Sequence, residues 1–167
     1  MCYIVYNMAN STGIVDYEQG SPATIEIVKT KIGFLEIYYH DGYIYAAKFI
    51  DDDNYTETKI KDLKKDIKNY FTGKTTDLVT KYKLDGTPFQ KKVWREIAKI
   101  PYGETKTYSD IAAAIGYPKS FRAVANACGQ NKIALFIPCH RVTGINNNGG
   151  YKWGIDKKEW LLNLEQS

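Results

Sequence analysis

Histidine and cysteine are scarce in this 167-residue chain: the two histidines are His40 and His140, and the three cysteines are Cys2, Cys128 and Cys139. None of them falls into a CxxC or HxxxH spacing, the usual form of a metal site, and no metal is expected. An odd number of cysteines does not make a full disulfide framework. A working thiol suits a reducing compartment, so the chain is expected in the cytoplasm. No stretch approaches the roughly 18 consecutive apolar residues that a membrane-crossing helix needs. The opening residues, Met1-Cys2-Tyr3-Ile4-Val5-Tyr6-Asn7, lack the basic flank and cleavage pattern of a secretory signal. Arginine is also rare. Arg95, Arg122 and Arg141 are the three arginines among 23 basic residues. Composition alone does not decide whether this lysine bias reflects an AT-rich genome or a thermophile.

The charge that is present is uneven. Residues 1–87 carry 11 lysines against 13 acidic residues, whereas residues 88–167 carry nine lysines and three arginines against six acidic residues, a surplus of +6. A modest basic surplus fits a polyanionic ligand, although an ordinary solvated surface accounts for it equally well.

The first half reads as α/β. Residues 24–29, 32–40 and 43–50 are rich in β-branched and aromatic residues, and Asp41-Gly42 between the last two predicts a hairpin. Asp51-Asp52-Asp53-Asn54 predicts a turn, and residues 58–71 predict a helix with Ile60, Leu63, Ile67, Tyr70 and Phe71 on one face, stopped at Gly73. Residues 74–87 read as an extended connection. The second half reads as helical. Pro88 opens a helix that ends before Pro101, and residues 109–115 form a short helix stopped by Gly116. Ser120 is a candidate N-cap for a helix over 121–128, and the last helix covers about 157–165 with Trp160, Leu161 and Leu164 packed. Two short helices joined by a tight turn predict a helix-turn-helix.

The most informative run is Pro138-Cys139-His140-Arg141-Val142, which follows the apolar residues 133–137 and precedes a Gly/Asn-rich stretch. Proline fixes the backbone entry, and an imidazole beside a thiol favours thiolate, so Cys139 is a candidate nucleophile. A buried free cysteine is the commoner outcome for such a residue, and the surrounding residues decide against it. Asn131, the five-residue run, Gly150-Tyr151-Lys152-Trp153-Gly154 and Lys158-Glu159-Trp160-Leu161-Leu162 with Glu165 resemble, in order and spacing, the O6-alkylguanine-DNA alkyltransferases (methylated-DNA–protein-cysteine methyltransferases). Gly86-Thr87-Pro88-Phe89-Gln90, Ile100-Pro101-Tyr102-Gly103-Glu104-Thr105 with Tyr108, and Arg122-Ala123-Val124 with Ala127 extend the resemblance, and Tyr70-Phe71-Thr72-Gly73-Lys74 is a weaker block.

The resemblance implies an α+β chain. Residues 1–85 would form a small RNase H-like α/β domain with a short antiparallel sheet and a structural role. Residues 86–167 would form a mainly helical DNA-binding and alkyl-acceptor domain containing the helix-turn-helix. Some relatives hold zinc in the first domain, but here only Cys2 and His40 are on offer. The implied activity is single-turnover transfer of an alkyl group from O6-alkylguanine in duplex DNA to Cys139 after base flipping, with O4-alkylthymine left open as a second substrate. Cys139 would be the acceptor, His140 its base, Glu165 the carboxylate that orients His140, Tyr108 the donor to the leaving guanine, and Asn131 the tie between helices and active-site turn. Arg122 would fill the gap left by the flipped base. Ser120, Ala123 and Ala127 would line the groove-facing helix. Val142, Tyr151, Lys152 and Trp153 would form the base pocket. Arg141 would pair with main-chain carbonyls. Trp153 would either narrow the pocket or pack near Trp160. No cofactor is needed, the partner is double-stranded DNA containing O6-alkylguanine, there is no membrane partner, and a monomer is expected. Cys2 and Cys128 lack a histidine neighbour and are assigned to packing.

Three other readings compete. A silent relative would lack the cysteine before His140. A transcription regulator would give a sequence-specific footprint and no change in mass. A Cys-His hydrolase would need an oxyanion site that no motif supplies.

Overall fold

A computed structural model of the chain describes residues 24–52, 54–58, 62–76, 78 and 80–167. Cys2 and the rest of the opening segment lie outside these residues, as do Asp53 of the expected turn and Ile60 of the expected helix.

Alternating β-branched and aromatic residues build three antiparallel strands, β1 (Thr24–Thr30), β2 (Gly33–His40) and β3 (Tyr43–Ile50). Asp41 and Gly42 both take positive φ, 48° and 79°, the conformation of a two-residue type I′ hairpin. Val28, Leu35, Ile37, Ala47 and Phe49 enter the main core together with Ile67, Tyr70 and Phe71 of α1 (Asp62–Phe71). Thr58 is not helical. Its N–H donates to the Ile27 carbonyl at 3.1 Å and its Oγ1 accepts from Ile27 N at 3.0 Å, so this stretch lies along β1. Helix α1 stops at Gly73, where φ is 68° and the amides of Gly73 and Lys74 close onto Tyr70 O and Asn69 O.

The expected extended connection contains β4 (Lys81–Tyr82), which joins the edge of β3 in parallel. Two residues are too few to be read from periodicity. Further along the same edge Ala47 bridges Ile133: Ala47 N donates to Lys132 O at 2.9 Å and Ala134 N donates to Ala47 O at 2.8 Å. The sheet edge is thereby covered, and the chain is anchored six residues before Cys139.

In the second half, α2 (Pro88–Ile97) and α3 (Tyr108–Ala114) each begin with a capping box, Thr87 with Gln90 and Thr107 with Asp110. Strand β5 (Lys106–Thr107) precedes α3 and pairs in parallel with β6 (Val142–Thr143), which brings the start of α3 against the residues that follow Cys139. Helix α4 (Phe121–Gly129) follows a turn, and α5 (Ile155–Gln166) closes the chain, longer at both ends than its apolar residues indicate. Ser120 holds the N-cap position of α4, yet its side chain makes no capping bond among the described residues, because the backbone there (φ −99°, ψ 27°) is outside the extended region that aims a cap at N3.

One hydrophobic cluster runs from Val28 through Trp94, Val124 and Ile137 to Leu161, so the two halves share their core. No helix among the described residues is long and apolar enough to cross a membrane. Trp94 knits α2 to α4: its ring is 2 % exposed and Nε1 donates to the Ala127 carbonyl at 2.8 Å. Trp94→Phe retains most of the apolar contact and leaves that carbonyl without its donor. Urea unfolding should show a loss of about 1–3 kcal/mol with an unchanged m-value.

Candidate active site

Residues 133–137 are buried throughout and turn tightly, with Leu135 at φ 69° in the left-handed region. Such a conformation is strained for leucine and persists because its surroundings are packed. The turn delivers Cys139-His140-Arg141 as a single 3-10 turn with all three side chains buried.

Asn131 holds the sulfur in place. Its Oδ1 accepts from Ile133 N at 2.9 Å, and its Nδ2 donates to Ile137 O at 3.1 Å and to Cys139 Sγ at 3.2 Å. Burial pushes the Cys139 thiol well above its ordinary value, and the Asn131 amide and the Lys158 ammonium oppose that push.

His140 Nε2 lies 2.7 Å from Glu165 Oε1, with both side chains buried. Burial holds the imidazole toward its neutral form, against the pull of the carboxylate. His140 Nδ1 is buried and has no hydrogen-bond partner among the described residues. Glu165 is the hub. It accepts from His140, from Arg141 Nε at 2.8 Å and Nη2 at 3.0 Å, from the Gly103 amide at 3.2 Å, and from the Tyr70 hydroxyl. Burial alone would raise its pKa, but the bonds from His140, Arg141 and Tyr70 win and hold it at about 2.

Lys158 was not given a role from sequence, and it is fully buried. Its Nζ donates to Val142 O at 2.6 Å and Gly150 O at 3.1 Å, tying both ends of the 143–150 loop to α5. Burial lowers its pKa to about 8, while Cys128 and Cys139 pull it up. Tyr108 reaches the same place from α3. Its hydroxyl lies where a Gly149 Cβ would come within 2.5 Å, and Gly149 itself sits at φ 68°, so glycine alone fits there. Burial raises the Tyr108 pKa, with the Gly150 backbone N–H acting in the opposite sense.

Tyr151 packs edge-on to His140 with ring centroids 6.4 Å apart and to Trp153 at 5.3 Å, and Lys152 Nζ donates to Asn131 O at 3.1 Å. Trp153 packs on Phe49 of β3 at 6.5 Å, while Trp160 stacks on Phe71, so Trp153 rests on the sheet rather than near Trp160.

Cys139, His140, Glu165, Asn131, Tyr108, Val142, Tyr151, Lys152 and Trp153 are therefore gathered around one turn. Arg122, Ala123 and Ser120 lie apart on α4 and the turn before it; Arg122 and Ala123 are exposed, and the Arg122 guanidinium lies 5.8 Å over the Phe121 ring. Ala127 corrects the sequence reading. It is 2 % exposed on the buried face of α4, and its carbonyl accepts from Trp94 Nε1, so its side chain is closed off from a groove. Arg141 needs a smaller correction: one bond goes to the Ile100 carbonyl at 2.7 Å, but the rest of its fork grips Glu165.

Sequence reasoning assigned nothing in the first half to the site, yet Tyr70 of α1 bonds Glu165. The Tyr70-Phe71-Thr72-Gly73-Lys74 block was its signal. Cys128 was set aside for want of a histidine neighbour, and it is buried in the same apolar cluster as Cys139. Among the described residues no group of three or more His, Cys, Asp or Glu is placed to hold a metal.

A thiol, an imidazole and a clamped carboxylate in sequence can generate a thiolate and hold the resulting positive charge. The comparisons with known proteins bear on this geometry. A mimivirus protein, "Probable methylated-DNA--protein-cysteine methyltransferase" of Acanthamoeba polyphaga mimivirus, is 52% identical over 85% of this chain and 96% of its own length. This chain belongs to the methylated-DNA–protein-cysteine methyltransferase family. Residues 88–167 match the family model described as "6-O-methylguanine DNA methyltransferase, DNA binding domain". The methylated-DNA--protein-cysteine methyltransferase of Methanosarcina barkeri is 50% identical over 59% of this chain and 63% of its own. Among solved structures, Mycobacterium tuberculosis OGT in complex with DNA superposes with a TM-score of 0.78 at 35% identity, covering 85% of this chain and 92% of that one.

The charge state of the Glu165 hub sets the pH response. A carboxylate depressed from 4.5 to about 2 supplies stability that is complete above 4.5 and is lost as pH falls toward 2. His140, lowered from 6.5, acts in the same direction, because the unfolded chain takes up its proton first as pH falls below 6.5. Unfolding free energy should therefore decline from pH 7 to pH 2.5. Glu165→Gln should lose roughly 3–5 kcal/mol at pH 7 by leaving Arg141 buried without its counter-ion, and should decline less steeply below pH 4.5. A variant with the wild-type pH profile would remove Glu165 from this role.

Proposed function

We propose that the chain repairs DNA by direct reversal, moving the alkyl group from O6 of an alkylated guanine in duplex DNA onto Cys139, once per molecule. The observation that carries this reading is the environment of the sulfur: Asn131 Nδ2 at 3.2 Å and a buried His140–Glu165 pair at 2.7 Å beside it, in a chain of this family. The Cys139 proton passes to His140, directly or through one water, and Glu165 stabilises the imidazolium. The thiolate attacks the alkyl carbon in line. An S–C bond forms, the C–O6 bond breaks, and the guanine leaves as an anion met by the Tyr108 hydroxyl, which its raised pKa keeps protonated. A thioether is stable and no second thiol or activated water regenerates Cys139 in this reaction, so turnover stops at one.

The base must leave the stack to reach a sulfur that is 5 % exposed, at a cost of a few kcal/mol. Exposed Arg122 and Ala123 at the start of α4 fit a helix pressed into the minor groove, with Arg122 occupying the vacated stack. In this reading α3 and α4 act as a helix-turn-helix, residues 86–167 as the DNA-binding and acceptor domain, and residues 1–85 as an RNase H-like support. The basic surplus of residues 88–167 suits that partner. Val142, Tyr151, Lys152 and Trp153 form the base pocket, with backbone groups reading the guanine edge. The protein works as a cytoplasmic monomer without a cofactor.

Mixing the protein with duplex containing O6-methylguanine should raise its intact mass by one methylene, mapped to Cys139, with one methyl per chain at saturation. Methyl acceptance by Cys139→Ala, or turnover beyond one, would falsify the mechanism.

Arg122→Ala should lower the repair rate on duplex DNA by at least about tenfold, the loss of one interaction worth roughly 1.4 kcal/mol, and leave the reaction with free O6-methylguanine near wild type. Equal losses on both substrates would mean that Arg122 serves the chemistry or the fold instead of flipping.

A further inference from the structure

Asp51 follows β3 in the first half of the chain and takes no part in the reaction above. Its carboxylate meets Lys157 of α5, 106 residues away, with Nζ 2.8 Å from Oδ2 and 2.6 Å from Oδ1. The pair is lopsided: the Lys157 side chain is 9 % exposed and that of Asp51 71 %. A lysine in the first turn of a helix opposes the helix dipole, and a buried ammonium is costly without partners. Helix α5 nevertheless carries Lys157 and Lys158 near its start, both buried. Each is tied to a group outside the helix. Lys158 holds Val142 O and Gly150 O, and Lys157 holds Asp51.

The same strand end makes a second contact. Phe49 packs edge-on to Trp153 at 6.5 Å, Trp153 to Tyr151 at 5.3 Å, and Tyr151 to His140 at 6.4 Å. A file of ring contacts therefore runs from β3 to the imidazole. Phe49 and Asp51 together grip both ends of residues 153–157, the segment that continues directly from Tyr151 and Lys152.

We propose that Asp51 is a positioning residue for the alkyl pocket: through Lys157 it holds residues 151–157 against the sheet and so limits the size of the alkyl group that fits before Cys139. This rests on the repair reading above. A pocket wall discriminates between alkyl groups only while its backing does not yield. The Tyr151 ring is backed by Trp153, and Trp153 by Phe49. Edge-to-face ring contacts are individually weak, and the ion pair fixes the far end of the segment that carries them. Without the carboxylate, Lys157 must turn to water, because an unpaired buried ammonium is strongly destabilising. The start of α5 and the residues before it then shift outward. Room opens behind Tyr151, which a large O6 substituent needs and a methyl group does not.

The test compares rates of alkyl transfer from duplexes containing O6-methylguanine or O6-benzylguanine. The proteins are full-length wild type, Asp51→Ala, and the charge swap Asp51→Lys with Lys157→Asp. Amide hydrogen exchange is followed in residues 151–158, where Gly154 N–H donates to Tyr151 O at 3.1 Å and Lys158 N–H to Gly154 O at 3.3 Å. A ratio of two rates is unaffected by the folded fraction, so it separates positioning from loss of stability. Asp51→Ala should raise the benzyl-to-methyl ratio by roughly threefold or more. It should also quicken exchange in 151–158 relative to α2, and the swap should return both toward wild type. An unchanged or lowered ratio in Asp51→Ala, or a swap no closer to wild type than Asp51→Ala, would overturn the proposal. If the wild type accepts neither alkyl group, the repair reading fails instead, and the exchange of 151–158 still decides whether Asp51 holds the segment.

Discussion

The buried Glu165 carboxylate is the constraint on which the rest of the structure depends. Taking a carboxylate out of water costs several kcal/mol, and leaving one without partners costs more than a small domain can spare. Glu165 is 5 % exposed and stays ionised because five donors converge on it: the Tyr70 hydroxyl, His140 Nε2, two nitrogens of Arg141 and the Gly103 amide. Those donors come from α1, from the turn before α3 and from the cysteine-bearing turn. Satisfying one charge therefore locks together four parts of the chain that are remote in sequence. It also fixes which nitrogen of His140 is engaged, leaving Nδ1 without a hydrogen-bond partner among the described residues.

Around the sulfur the balance is different. Burial disfavours thiolate, and it is the first cause of the raised Cys139 pKa. Asn131 and Lys158 counter this without a metal. Lys158 does a second job: its bonds to Val142 O and Gly150 O hold both ends of the 143–150 loop. A fully buried lysine is expensive unless its ammonium protons are bound, and here two carbonyls bind them.

The division of labour is geometric. The sheet receives the chain just before the reactive turn through Ala47, and Phe49 supports Trp153, so the first half acts as a rigid backing for the pocket. The residues proposed to face DNA sit elsewhere. Arg122 and Ala123 project from α4 into solvent, while Val124, Ala127 and Cys128 of the same helix face inward. One nine-residue helix thus has an exposed face at its start and a buried face against the core.

Much of this was legible in the sequence. Strand runs and the Asp41-Gly42 hairpin followed from local propensity, Pro88 and Gly73 marked helix ends, and the run around Cys139 with Asn131 and Glu165 pointed to the family, because these are effects of neighbours along the chain or of ordered blocks. The misses have a common cause. Lys157 and Lys158 of α5 are buried, whereas lysine is read as solvent-facing until its partners are known. Ala127 was placed on the DNA side because a stripe of small residues does not say which side of a helix faces inward; the Trp94 ring decided it. Two-residue strands carry no period. Tyr70 bonds Glu165 across 95 residues and Lys158 binds carbonyls 16 and eight residues away. The sequence by itself determined the element types, the family and the reacting cysteine, since local sterics and motif spacing encode those. Which tyrosine meets the carboxylate and which lysine is buried were decided by tertiary structure alone, because each depends on burial created only when distant elements pack together.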